Sequence, residues 1–172
     1  MKKRIQEELW NDFVSMVKES TTNYESYYSS LVSWVKKHRR YFTNDILAKS
    51  YLNILMSLEP KKYIVDDPEF KLDSELNWCI RIKPTSISIN YLIDLIESRL
   101  GDMVTIRSKK ECPNCLHGCL RYLLLESKDE ILLECSECAW TENADGTKYD
   151  GGIARMLPAN KMDLQRHGIY NS

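Results

Sequence analysis

Apolar residues recur at helical spacing through the first 60 residues of the chain. Ile5, Leu9, Phe13, Met16 and Val17 fall three or four positions apart, and Trp10 and Val14 widen the stripe. This is the signature of a helix with one buried face. Thr22 and Glu25 form a capping-box pattern that starts a second helix. Its stripe is Tyr24, Tyr27, Tyr28, Leu31 and Val35, with Trp34 beside it, and it ends in the basic run from Lys36 to Arg40. A third helix follows Thr43, carries Leu47, Tyr51, Ile54, Leu55 and Leu58 on one side, and stops at Pro60.

Residues 61–75 are charged, and Asp67-Pro68 is a loop signal. Trp78, Ile80 and Ile82 then alternate with polar neighbours, which predicts a short strand with one wet face. A fourth helix is expected from Ser88 through Ile89, Leu92, Ile93, Ile96 and Leu100, with Gly101 as its C-terminal cap. Met103 to Arg107 (MVTIR) reads as a further strand. Residues 118–126 (GCLRYLLLE) and 130–135 (EILLEC) read as two strands of a hairpin turning at Ser127, Lys128 and Asp129. Asp145-Gly146 and Gly151-Gly152 mark turns. Pro158 to Gly168 reads as a last short helix, with Pro158 near its start and Gly168 beyond its end.

The pattern is α+β: a mainly helical part over residues 1–102, and residues 103–172 holding a small antiparallel sheet and a short helix, the two packed as one unit. The hairpin carries Leu120, Tyr122 and Leu124 on one face and Leu123 and Leu125 on the other, with Ile131, Leu132 and Leu133 supplying both. A sheet wet on one side would alternate apolar with polar, so both faces must be partly buried. Either this chain's own helices or another protein would cover the second face.

Composition narrows the class only a little. With 43% hydrophobic and 28% charged residues, the chain is an ordinary globular one. The net charge of −1 gives no bulk attraction to nucleic acid or membrane. MKKRIQEELW has no apolar run behind its basic start, so it is not a secretory signal, and a cytoplasmic location is expected. Six cysteines in such a chain point to metal or free thiols before disulfides.

Four of the six carry the chemistry. Cys112 and Cys115 form one C-x2-C pair, Cys135 and Cys138 another, and 19 residues separate the pairs. Each C-x2-C turn sets two sulfurs on one side of the backbone, and two such turns at the end of a hairpin complete the tetrahedral thiolate set that a structural Zn2+ takes. Four thiolates close the coordination sphere, so the zinc has no open position for substrate. Neither pair opens a helix, as a redox C-x2-C would. The deaminase signature H-x-E…P-C-x-x-C is absent, and the spacing matches no ferredoxin run. His117 and Cys119 lie close enough in sequence to be alternative ligands. The arrangement resembles the zinc-ribbon fold group over residues 107–142, with one departure: Leu116 and Ala139 stand where many knuckles place glycine.

From Lys109 to Cys138 there are four basic and six acidic residues, the wrong balance for a phosphate-reading ribbon. The cluster Lys36 to Arg40, with Tyr41 and Phe42, suits a helix C-terminus or a phosphate backbone. Cys79 reads as a small buried residue. No phosphate loop, dinucleotide fingerprint or nucleophile elbow occurs, and three histidines are too scattered for a triad. A non-enzymatic zinc protein that binds a partner protein is therefore expected. In size and composition the whole chain resembles immunity and antitoxin proteins of bacterial toxin systems. That resemblance implies a toxin as partner, and the ribbon acids Glu126, Asp129, Glu130, Glu134 and Glu137 would suit a basic one. The alternative is a nucleic-acid-associated zinc-ribbon regulator that uses the basic cluster.

Overall fold

The computed structural model describes residues 2–20, 24–42, 51–63, 79, 81–82, 87–151 and 155–170. The fold is α+β and divides into two compact units: Met1–Lys61 with Asp66–Met103, and Lys62–Val65 with Val104–Ser172.

Among the described residues the first unit holds four named α-helices: α1 (Lys2–Glu19), α2 (Tyr24–His38), α3 (Leu52–Leu55) and α4 (Ile89–Met103). The apolar stripes define their inner faces. Leu9, Trp10, Phe13 and Val17 of α1 are buried, as are Tyr27, Tyr28, Leu31, Trp34 and Val35 of α2. Phe13 meets the Trp34 ring edge-on at 5.6 Å, and Trp10 stacks beside Phe13. The Tyr28 hydroxyl donates to main-chain carbonyls at Leu55 and Leu58, tying α2 to the end of α3.

Four expectations for this unit change or go unanswered. Cys79 and Arg81 are helical where a strand over 78–82 is expected, and Trp78 and Ile80 lie outside the described residues. Cys79 is buried, Ile82 half-buried and Arg81 exposed, and the Ile82 N–H donates to the Cys79 carbonyl, the i, i+3 pattern of a helical turn. Five alternating residues are too short a run to separate the two periods. Helix α4 runs through Gly101 to Met103. Met103 is buried one turn beyond Leu100, and its burial outweighs the roughly 1 kcal/mol that glycine costs inside a helix. The Thr22 cap and the start of the third helix at Thr43 lie outside the described residues.

The second unit is built on a five-stranded antiparallel sheet: β1 (Arg107–Glu111), β2 (Cys119–Leu125), β3 (Glu130–Cys135), β4 (Thr141–Asn143) and β5 (Met156–Pro158). Strand β2 is central. Its full length pairs with β3, from Leu120 opposite Cys135 to Leu125 opposite Glu130. Its other edge is shared by β1 and then β5. The change falls at Tyr122, whose N–H donates to the Ile106 carbonyl and whose carbonyl accepts from Ala159 N–H. The MVTIR strand is thus displaced: Met103 closes α4, and β1 is the polar string RSKKE. Pro158 ends β5 rather than opening a helix, a place where its missing N–H costs no ladder bond.

One face of the hairpin carries Leu120, Tyr122, Leu124, Ile131, Leu133 and Cys135. Ile131, with Ile106, Ala159 and Leu164, forms a core against which Tyr122, Leu124, Ile169 and Tyr170 pack. Leu123, Leu125 and Leu132, on the opposite face, are also buried. The last helix, α5 (Lys161–Arg166), is short but doubly capped: Asn160 Oδ1 accepts from the N–H groups of Met162 and Asp163, and Asp163 accepts in return from Asn160 N–H. Gly168 follows at φ 70°, a left-handed stop. Among the described residues no helix is long and apolar enough to cross a membrane.

Replacing Asn160 by alanine removes both cap bonds. The expected loss is about 1 kcal/mol of stability, measured as a lower denaturant midpoint at unchanged slope.

Candidate metal centre

The four predicted cysteines converge at one end of the sheet. Cys112 and Cys115 lie in the turn between β1 and β2, Cys135 ends β3, and Cys138 lies in the turn between β3 and β4. The two turns repeat the same hydrogen bonds. Leu116 N–H donates to the Cys112 carbonyl at 3.1 Å, and Ala139 N–H to the Cys135 carbonyl at 3.0 Å. Cys112 N–H is closed by the Gly118 carbonyl and Cys135 N–H by the Trp140 carbonyl, each at 2.8 Å. Leu116 and Ala139 both take left-handed backbone, at φ 57° and 55°. The glycine departure thus leaves the turn geometry intact, at a conformational cost of about 1–2 kcal/mol per residue.

The Sγ atoms lie within 4.8 Å of one another. Two pairs cross between the turns, Cys112 to Cys138 and Cys115 to Cys135, each at 3.6 Å. A tetrahedron with metal–sulfur bonds of about 2.3 Å has edges of about 3.8 Å. The donor set and its spacing therefore fit one tetrahedral metal ion, and the segment is compatible with a zinc ribbon. Cys112 and Cys135 are buried with Leu120 and Leu133, while Cys115 and Cys138 are partly exposed.

Without a cation these thiols divide their protons unequally. The Asn114 side-chain amide and the Trp140 N–H both point at Cys138, and they bring its pKa down to about 6. The His117 N–H acts in the same direction on Cys115, but burial and hydrogen bonds shared with the other three sulfurs outweigh it and push that thiol up to about 12. Cys138 is the first of the two to give up its proton and Cys115 the last.

His117 and Cys119 are outside the sulfur cluster. Both are exposed and line a groove of about 330 Å³ with Leu116, Gly118, Ser136 and Glu137. Cys119 sits at the start of β2, on the sheet face opposite Leu120 and Cys135.

Two supports of the centre were not legible in the sequence. One is Asn114, whose amide reaches across to the other turn's Cys138 at 3.4 Å. The other is Glu142, a carboxylate only 1% exposed, held by Lys110 Nζ and by Trp140 Nε1 at 3.2 Å. Trp140 packs against the cysteine cluster, so this pair ties β1 and β4 together behind it. The C-P-N-C string could have suggested the first; nothing local marks the second.

The ribbon acids are scattered by the fold. Glu126 pairs with Arg155 at 3.3 Å, Asp129 with Arg166 at 3.0 Å, and Glu134 with Arg121 at 2.6 Å. Glu130 and Glu137 have no cation partner among the described residues, and both are exposed. The basic cluster is also partly engaged. Lys37 Nζ and His38 Nε2 hold the two oxygens of Asp12 at 2.8 and 2.7 Å, and Arg40 lies over the Tyr41 ring. Burial works to raise the Asp12 pKa, but the bonds from Lys37 and His38 overcome it and keep the carboxyl below its ordinary value.

Comparison with family models, with curated proteins and with solved structures finds no match for this chain. Its chemistry has to be read from its own geometry.

Ala139 is exposed, so glycine there removes left-handed strain without opening a cavity. Against the extra entropy of glycine in the unfolded chain, Ala139→Gly is expected to add about 0.5–1 kcal/mol of stability, read from equilibrium denaturation. A loss of stability would show that the turn is not strained.

Proposed function

We propose that Cys112, Cys115, Cys135 and Cys138 hold one structural Zn2+, and that the chain is a non-enzymatic protein that acts by binding another protein. The observation that carries the metal reading is the mutual approach of four Sγ atoms within 4.8 Å, on two turns of matching geometry. Soft thiolate donors in a tetrahedron favour zinc or iron over harder cations. When bound, the ion neutralises the thiolates and fixes the two turns to each other. Because all four positions are taken by sulfur, the centre supports a staple and not a Lewis-acid site.

The partner reading rests on this closure and on the surface that the fold leaves available. Three ribbon acids already have cationic partners, so Glu130 and Glu137 are the charges free to meet a basic partner. A basic toxin neutralised by an immunity protein or antitoxin is the partner class that suits them. Nucleic acid is less well supported, because Asp12 already engages Lys37 and His38.

Elemental analysis of purified protein is expected to give one zinc per chain and negligible iron. A brown, iron-rich protein would overturn the zinc assignment. Cys112→Ser should lose the metal and unfold the ribbon unit, since structural zinc supplies about 10–16 kcal/mol of apparent binding energy in small zinc peptides. Cys119→Ser should keep it.

For the partner, the charge reversals Glu130→Lys and Glu137→Lys are expected to slow association with a neutralised toxin and to weaken its salt dependence. Zinc content and melting should not change. Unaltered association rates would place the binding surface elsewhere.

A further inference from the structure

We infer that Cys115 is the sulfur through which electrophiles enter the metal centre, and that Cys135 completes a disulfide with it. This rests on the zinc reading above and deepens it: the staple has one reactive corner.

Access excludes two sulfurs at once, because Cys112 and Cys135 are fully buried. Cys115 and Cys138 are both partly exposed. Each also takes one main-chain N–H, from His117 and Trp140 respectively. Their side-chain surroundings differ. The Asn114 amide donates to Cys138 at 3.4 Å, drawing electron density from that sulfur. The position that matches Asn114 in the second turn is Glu137, and an ionised carboxylate has no hydrogen to give. Cys115 therefore takes one hydrogen-bond donor fewer than Cys138 and keeps more of its nucleophilic density.

The reagent class is a hydroperoxide, with hydrogen peroxide as its simplest member. The Cys115 thiolate attacks one peroxide oxygen. An S–O bond forms as the O–O bond breaks, and the departing hydroxide takes a proton to become water. Cys115 is then a sulfenic acid. The Cys135 thiolate, 3.6 Å away, attacks the oxidised sulfur. An S–S bond forms, and the oxygen leaves with a second proton as water. Each sulfur gives up one electron, and the peroxide is reduced to two waters. Closing 3.6 Å to a disulfide needs a movement of about 1.6 Å, within reach of side-chain rotation. Two of the four donors are lost together, so oxidation and metal release are one event.

The test uses full-length protein carrying Cys119→Ser, which removes the exposed thiol outside the cluster. Zinc is measured first, and limiting hydrogen peroxide is then added while released zinc is followed with a chromogenic chelator. Peptide mapping is expected to find the Cys115–Cys135 disulfide before any other, in step with zinc release. Limited alkylation with iodoacetamide should mark Cys115 ahead of Cys138. Asn114→Ala should speed alkylation of Cys138 about three- to tenfold, the worth of one hydrogen bond, and leave the Cys115 rate unchanged. If zinc is bound but Cys112–Cys138 forms first, if the two rates are equal, or if Asn114→Ala leaves Cys138 unaffected, the inference falls and the zinc reading stands. If no zinc is present before peroxide is added, both fall.

Discussion

Four sulfurs held within 4.8 Å of one another are the constraint on which the second unit depends. Thiolates this close repel, and thiols this close must share protons; a cation resolves both. The sheet delivers the pairs by its register. Leu120 stands opposite Cys135, so the end of β2 and the end of β3 arrive together, and the turns on either side bring Cys112, Cys115 and Cys138 to the same place. A unit of this size has little apolar surface to bury, and below about 70–80 residues a metal commonly substitutes for part of the core. The clusters here agree with that: Ile131 packs with Ile106, Ala159 and Leu164 at one end, and the cysteines take the place of a core at the other.

The same constraint accounts for the backbone of the two turns. Leu116 and Ala139 adopt left-handed conformations that glycine would take more cheaply. The strain persists because the hydrogen bonds around each pair over-determine the turn: the residue after the second cysteine donates back to the first, and the first cysteine's own N–H is closed further on. Leu116 is also 70% exposed, so its side chain does not repay the strain by packing.

The centre was legible in the sequence because it is local. Two C-x2-C pairs and a hairpin between them depend on spacing alone, and the fold placed all four cysteines together and left His117 and Cys119 outside. Helical stripes were legible for the same reason, since Leu9, Phe13 and Val17 carry their period with them. What escaped were features set by distant partners. Strand β1 is a polar string that becomes a strand only because β2 offers it an edge, and β5 borrows the other half of that edge. Residues 78–82 alternate, yet Cys79 and Arg81 are helical, because burial of Cys79 selects the helical turn. Gly101 carries the mark of a helix end, yet Met103 is buried beyond it and the helix continues.

Charge shows most plainly where sequence reasoning stops. Counting residues gives the ribbon an acidic surface and α2 a basic end. In the folded chain Glu126, Asp129 and Glu134 each face an arginine, and Asp12 binds Lys37 and His38. Ion pairing of this kind removes charge from the far field, whatever each exposed pair contributes to stability. Of the five acids on the ribbon strands and turns named above, Glu130 and Glu137 alone keep no cation partner among the described residues. Glu137 belongs to the second metal turn, where it lines a groove with Leu116 of the first. Leu116 follows Cys115 and Glu137 precedes Cys138, so the cysteine cluster and the groove beside it are built on the same two turns.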